Sequence, residues 1–386
     1  MVRGETTKRS TLDADTILAR LQARGVEQLQ GAEAIWVIVD GSDLRKPHAR
    51  AMESLQEVKP LRGGGTIPGY RTINAIGLGK GRRGLLYHRL FSSTADGFLS
   101  ESSETQRALT SIGSALQPLA AEVTYIFDAG FDDVAVWATV WQQGHHLVGR
   151  VHHRDRLVRP GAGQPPCHLY ELAPRLQPLA SAEAELVVRL GRQRQAKLQP
   201  VTATIAAVPL VVSYQEEVRT RPDGAQYAKP VWLVEVRLEG ARERPWWLLT
   251  DRPVTTAEQA LEVFRMYCQR WSIEDFFKIG KQCLGWEDVQ VLKLAAVRTL
   301  VALGWVAAGF LYELGLTLDW PEVRLLIRLG GGEERANRPA GKLVLTRGLR
   351  RLLDHLATDA ILADEVRRHG SLPPRLAALL GRPAEP

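Results

Sequence analysis

Two short runs constrain this 386-residue chain most. IWVIV (35–39) and VTYIF (123–127) are apolar and β-rich almost throughout, and each stops at an acid, Asp40 or Asp128. A run with no polar face is the pattern of a strand covered on both sides, which calls for helices packed on a sheet. The spacing therefore predicts an α/β class. YRTINAIGLG (70–79) and GLLYHRL (84–90) add two strands joined by the short link KGRR, so they are expected as antiparallel neighbours. Helices are predicted over 13–24, stopped by Gly25, and over 102–121 and 131–144, with a further strand at HLVGRV (146–151). From the first of these strands onward, the first half reads β-β-β-α-β-α-β, and the run IWVIV is expected to end abruptly at DGSD (40–43).

From Pro160 the texture changes to alternating polar and apolar residues, as in TATIAAVPLVVSY, PVWLVEVRL and PWWLLT, with turn signals at PDGAQ (222–226) and EGARERP (239–245). A long helix should follow, opened by a T-x-x-E capping box at Thr255 and Glu258. Beyond Leu284 the pattern is mostly helical, with LGGGEERANRPAGK (329–342) as a loop that lacks the spacing of a phosphate cradle. The expected layout is a short N-terminal helical piece (1–30), the first part of an α/β core (31–159), a β-rich insertion (160–252), the end of the core (253–316) and a helical C-terminal region (317–386).

Composition narrows the function classes. The net charge is +7, which favours a polyanionic partner such as nucleic acid. Cys167, Cys268 and Cys283 show no C-x-x-C spacing and suit a reducing compartment rather than a disulfide frame or a zinc site. The N-terminus has no apolar core of the kind a signal peptide carries. The most apolar run, TLVALGWVAAGFLY (299–312), has 14 residues against the ~20 a bilayer needs, so it is expected to be a core helix, with no membrane partner.

The stretch YCQRWSIEDFFKIGK (267–281) carries the chemistry. On one continuous helix at about 100° per residue, Tyr267, Arg270, Glu274 and Lys281 fall within a stripe about 60° wide. That stripe sets a carboxylate between two cations and a phenol. Asp275 points about 100° away from it. Arg270 and Glu274 also have the i,i+4 spacing of an ordinary helix-stabilising pair. Asp40 and Asp128 end buried strands, where carboxylates that converge are costly unless a cation neutralises them. Mg²⁺ suits such oxygens. A third acid from a packed helix would complete a two-metal site for phosphoryl transfer. Asp43 stands further from its strand end, Asp132 and Asp133 are placed to start the next helix, and the adjacent His152 and His153 would face opposite sides of a strand.

These residues resemble the DDE cut-and-paste transposases of bacterial insertion sequences, of the insertion sequence 4 type. Tyr267, Arg270, Glu274 and Lys281 match that family's Y-x2-R-x3-E-x6-K signature without a gap, and VDGSDLR (39–45) and FDAGF (127–131) are similar to its two aspartate motifs. The resemblance runs from about residue 34 to past residue 315. It implies an RNase H-like core, a mixed sheet flanked by helices, interrupted by the β-rich insertion. It implies Asp40, Asp128 and Glu274 as catalytic ligands of two Mg²⁺ ions, with Mn²⁺ able to substitute. It implies double-stranded DNA, both transposon ends and target, as the partner of a homodimer, with Tyr267, Arg270 and Lys281 on phosphates. It implies a reaction in which water nicks the end, the freed 3′-OH forms a hairpin, and strand transfer follows. Trp246 falls where some members stack a flipped base, and Arg150, Arg154 and Arg156 of GRVHHRDR (149–156) become candidates for end-DNA contacts. The location implied is bacterial cytoplasm, at the nucleoid.

One departure from the family stands out. Only 39 residues precede Asp40, where family members carry a larger end-recognising domain, so a truncated chain, a misassigned start or relocated end recognition is expected. An RNase H-like nuclease or resolvase limited to hydrolysis, and an inactive DNA-binding remnant, are the alternative readings.

Overall fold

The computed structural model describes residues 13–161, 164–190, 195–215, 226–240, 244–333 and 342–373, with Arg375, Ala377 and Leu380. The N-terminal tail, most of the turn expected at 222–226, residues 241–243 of the turn expected at 239–245, and most of the loop expected at 329–342 lie outside the described residues. Two compact units result, Met1–Phe277 with Trp286–Val306, and Lys278–Gly285 with Ala307–Pro386.

The first unit is built on one sheet. Helix α1 (Ala14–Gln28) precedes β1 (Ala34–Arg45), β2 (Gln56–Val58), and the hairpin of β3 (Ile67–Gly79) and β4 (Arg82–Phe91). Next come α2 (Glu101–Leu116), β5 (Glu122–Phe127), α3 (Val134–Gln142) and β6 (His146–Arg150). β1, β5 and β6 run parallel as neighbours, while β3 pairs antiparallel with both β1 and β4. Their odd-numbered residues, among them Val37, Val39, Tyr125, Phe127 and Leu147, join one buried cluster with Leu109 and Ile112 of α2 and Trp137 and Val140 of α3. Ile38 and Ile126 alternate to the opposite face and are also fully buried. A strand buried on both faces is why these runs carry no polar register.

Gly25 does not stop α1, which continues to Gln28. Its lack of a side chain serves a close approach instead. A Cβ on Gly25 would meet Leu85 O at 2.2 Å, and one on Gly84 would meet Gly25 O at 2.3 Å, so the helix and β4 touch backbone to backbone.

The β-rich segment comprises the short pair β7 (Leu157–Val158) and β8 (Cys167–His168), then β9 (Gln177–Leu190), β10 (Gln195–Gln215), β11 (Gln226–Leu238) and β12 (Trp246–Thr250). β9 to β12 form an antiparallel run that continues the same sheet, because β12 pairs with β6 through Leu248 and Arg150. Then α4 (Ala257–Cys268) packs over β5 and β6 and reaches β9 and β10. Its N-cap is Thr256 with Gln259 at N3, one residue later than the expected Thr255 and Glu258. The expected single long helix is broken. A 3₁₀ turn at Gln269–Trp271 separates α4 from α5 (Ser272–Gln282).

Helix α6 (Leu294–Thr317) is longer than its 14-residue apolar run and is long and apolar enough by composition to cross a bilayer. Its first half instead buries Val297, Val301, Ala302 and Trp305 within the first unit. In the second unit α7 (Trp320–Leu329) is capped by Asp319 and Glu322 and packs on α8 (Lys342–His369), where Gly348 would place a Cβ 2.0 Å from Leu326 O.

Candidate active site

Parallel pairing brings the two strand-end aspartates together. The β1–β5 ladder ends at Val39 opposite Phe127, so the next residues, Asp40 and Asp128, leave the ladder side by side. β1 itself does not end there. It runs on through Gly41, Ser42 and Asp43 to Arg45, held by antiparallel pairing with β3, with Asp40 opposite Asn74. Asp40 Oδ1 accepts from the Gly41 N–H at 2.8 Å, and Asp128 Oδ1 accepts from the Gly130 N–H at 2.8 Å. Burial first and the Asp128 charge second push the Asp40 carboxyl up to about 7, against the pull of Arg270.

Arg270 links this pair to the third acid. Its Nη1 donates to Asp40 Oδ2 at 3.3 Å and its Nη2 to Glu274 Oε1 at 2.8 Å. The 3₁₀ turn means that Tyr267 and Glu274 sit on different helices, so the wheel drawn for a continuous helix does not hold. Only the Arg270–Glu274 part of the stripe is an i,i+4 contact. Tyr267, at the end of α4, is fully buried, and burial raises its pKa against the nearby charges of Arg150 and Arg270. Lys281, on the last turn of α5, belongs to the other compact unit.

An aromatic group lies beside these charges. Trp246, at the start of β12, is half-buried, with ring centroids 5.4 Å from Tyr267, 5.6 Å from Trp271 and 6.5 Å from Phe264. Its neighbour Trp247 is the one that faces the core, with its indole N–H on Glu235 Oε2 at 2.9 Å. Trp271 is 41 % exposed and lies under the Arg270 guanidinium at 4.9 Å. Sequence reasoning passed over Trp271, although it stands inside the signature stretch.

The basic segment after β6 divides. Arg150 lies 6.0 Å from the Trp246 ring centre and faces Tyr267. Arg154 stacks on Trp247 at 4.3 Å and donates to Pro245 O at 2.7 Å. Arg156 stacks on Trp137 at 4.7 Å and pairs with Asp132. Asp133 starts α3 as its N-cap, accepting from Ala135 N at 2.9 Å. Asp132 has a different task. It accepts from the backbone N–H groups of His152 and His153 at 2.6 and 2.7 Å and so ties this segment to the Asp128 loop. No local signal marks that role, because its partners lie 20 or more positions away.

A cleft of about 640 Å³ opens at these strand ends, with Asp40, Asp128, Asp43, Asp133, Glu101 and Arg71 in its wall. Two carboxylates that leave the ladder together, with Asp40 raised by burial and by the charge of Asp128, offer oxygen donors that fit a hard divalent cation. Asp40 and Asp128 would hold it. Glu274 joins through Arg270, and among the described residues no three His, Cys, Asp or Glu side chains converge into a closed metal set.

The family model of the transposase DDE domain matches residues 33–308. The chain belongs to the DDE transposase domain family. A search of curated proteins finds no match. The DDE domain span takes in the strand-end aspartates, the aromatic group and the Arg270–Glu274 pair, and it ends within α6. As a family of transposases it implies an enzyme of DNA transposition that binds DNA.

Proposed function

We propose that this DDE transposase is of the insertion sequence 4 type and moves an insertion sequence by metal-dependent strand cleavage and strand transfer, in a cut-and-paste route through a hairpin. The observation that carries the proposal is the junction of Asp40, Arg270 and Glu274 beside Asp128. A buried Asp40 beside Asp128, bridged to Glu274 by one arginine, is what a phosphoryl-transfer site needs and what a solvated helix face does not. The strand order β4-β3-β1-β5-β6, with an antiparallel hairpin on one side of β1 and parallel strands on the other, supports the RNase H-like reading, with β8–β12 as its insertion.

Asp40, Asp128 and Glu274 are the proposed catalytic carboxylates and would hold two Mg²⁺ ions. When bound, such ions activate the attacking oxygen and stabilise the leaving one in phosphoryl transfer. Arg270 neutralises phosphates next to the scissile bond, Lys281 is a further phosphate contact by the signature, and Arg150, backed by the buried Tyr267, fixes the register of the strand. Trp246 offers a base-stacking face, a contact worth ~1–3 kcal/mol. Arg154 and Arg156 shape the basic segment that lies along the DNA end. Attack by water breaks the P–O3′ bond at the end and frees a 3′-OH. That hydroxyl then attacks the phosphorus of the opposite strand, forming the hairpin bond as the P–O3′ bond to the flanking DNA breaks, and water reopens the hairpin before the freed 3′-OH is joined to target DNA. The enzyme acts as a homodimer on its two ends, in the bacterial cytoplasm.

The test is an assay of Mg²⁺- and Mn²⁺-dependent cleavage on linear DNA ends taken from the sequence flanking the gene. Glu274→Gln is expected to abolish nicking and to leave salt-dependent DNA binding in place. Equal cleavage by Glu274→Gln and the wild type would sink the assignment. A hairpin or joined product is expected, and nicks alone would point to a nuclease limited to hydrolysis.

A further inference from the structure

Behind the site, a polar row crosses three strands. Asp40 on β1 stands opposite Asn74 on β3, and Asn74 stands opposite His88 on β4. Directly opposed residues of antiparallel strands project to the same face. A bulge at Ala75–Ile76 takes up one extra residue of β4, so the hairpin closes at Gly79–Arg82 while His88 stays opposite Asn74. Asn74 is 0 % exposed and His88 3 %. Polar side chains buried this deeply cost stability unless their atoms are matched, so the row calls for an account.

Its hydrogen bonds run in one direction. Asn74 Nδ2 donates to Asp40 O at 3.3 Å and to Thr72 Oγ1 at 3.0 Å, and Thr72 Oγ1 donates to Ser42 O at 2.9 Å. Asn74 Oδ1 lies 2.7 Å from His88 Nδ1. Turning the amide over would set its oxygen against the Asp40 carbonyl oxygen, so its orientation is determined and His88 Nδ1 must carry the proton. The His88 ring is wedged edge-on against Trp305, with centroids 5.3 Å apart, and burial pushes its pKa down to about 3, which keeps it neutral.

The row reaches the carboxylate through one peptide plane. Asp40 O and the Gly41 N–H belong to the same peptide unit. Asn74 holds the oxygen edge, and the N–H edge holds Asp40 Oδ1 at 2.8 Å. Thr72 holds the next carbonyl but one, on Ser42. Gly41 adds no side chain to restrain the backbone, so these partners add to the β1–β3 ladder in setting the tilt of that plane.

We propose that Asn74 and His88 are positioning residues for the Asp40 carboxylate, acting through the Asp40–Gly41 peptide plane. The proposal rests on the reading of Asp40 as a catalytic carboxylate. Supporting partners behind metal-binding side chains commonly change metal affinity or activity by about 10–100-fold when removed.

The experiment uses the full chain with Asn74→Leu, His88→Leu and His88→Asn. The readouts are Mn²⁺ affinity without DNA, single-turnover nicking, DNA affinity and thermal unfolding. Asn74→Leu and His88→Leu are expected to weaken Mn²⁺ binding and slow nicking by about 10–100-fold each, with DNA affinity unchanged. His88→Asn, whose amide nitrogen can stand where Nδ1 stood, is expected to restore most of both. Selective ¹⁵N labelling of histidine in the wild type should report His88 as the Nδ1–H tautomer, which needs no substitution to fold. The proposal is overturned if Asn74→Leu and His88→Leu bind Mn²⁺ and nick at the wild-type level, if His88→Asn performs no better than His88→Leu, or if His88 carries its proton on Nε2. A wild type that neither binds Mn²⁺ nor nicks DNA would instead remove the functional reading itself.

Discussion

Arg270 Nη1 stands 3.3 Å from Asp40 Oδ2, a pairing across 230 positions of the chain. Both side chains are largely buried, at 12 % and 13 % exposure, so the contact is poorly screened by water. One guanidinium thereby offsets acids from β1 and α5 together.

Replacing Arg270 should separate its two tasks. Arg270→Ala is expected to weaken DNA binding and to lower the slope of log affinity against log salt by about 1, as the loss of one phosphate contact would. Arg270→Lys should recover charge but not the two-armed bridge, so nicking stays low while the salt slope returns. Salt titrations by fluorescence anisotropy, run beside the nicking assay, check both.

Gly25→Ala reverses a usual rule. Alanine in a helix interior normally stabilises by up to about 1 kcal/mol over glycine. Here its Cβ would press on the Leu85 carbonyl, so the change is expected to destabilise by about 1–3 kcal/mol. Urea unfolding of the variant beside the wild type decides the sign.

Asp132→Ala should be among the costlier changes outside the proposed carboxylates. It strands the Arg156 guanidinium and frees the backbone of His152 and His153. Removing one partner of a buried pair costs about 3–5 kcal/mol. Because Asp132 ties this segment to the Asp128 loop, nicking should fall as well. Replacing Arg156 with Met as well should recover part of the stability in thermal melts, since the stranded charge is gone.

A pH-dependent term is expected where β6 begins. His146 Nδ1 lies 2.9 Å from Asp251 Oδ2, and that hydrogen bond raises the imidazole above its ordinary value. The protonated ring is favoured in the folded state, so its contribution is full below about pH 6.5 and is lost as pH rises through the raised value. Asp251 is held below its ordinary value, chiefly by the hydrogen bonds of His146 and Leu147 working against burial, so its contribution fades only as pH falls below 3.8. His146→Gln should therefore cost more stability at pH 6 than at pH 8.5. Equal costs in denaturant titrations at the two values would refute this.

How much was legible in the sequence follows from the range of each cause. The β3–β4 hairpin is local, its turn being only two residues long between Gly79 and Arg82, and the pattern places it. The capping position slipped by one residue because Thr255 and Thr256 are both competent and Gln259 serves each of them. DGSD looked like a strand end because Asp, Gly and Ser disfavour strands, but pairing with β3 overrode that preference. Gly25 looked like a helix stop because the sequence marks only that a side chain is missing, not what comes close in its place.

By itself the sequence determined the local elements and the chemistry they carry. The apolar runs made strands covered on both faces, and the acids after them and in YCQRWSIEDFFKIGK supplied the reactive groups. Only the tertiary structure decided how those groups meet. The parallel register of β1 and β5 sets Asp40 beside Asp128, and a 3₁₀ turn delivers Arg270 between Asp40 and Glu274. Pairing of β12 with β6 brings Trp246 to the same place, and the β1–β3–β4 register draws Asn74 and His88 in behind Asp40. The physical reason is range. Propensity and periodicity act over a turn or two, whereas burial and charge balance act between side chains that the chain holds far apart until it folds.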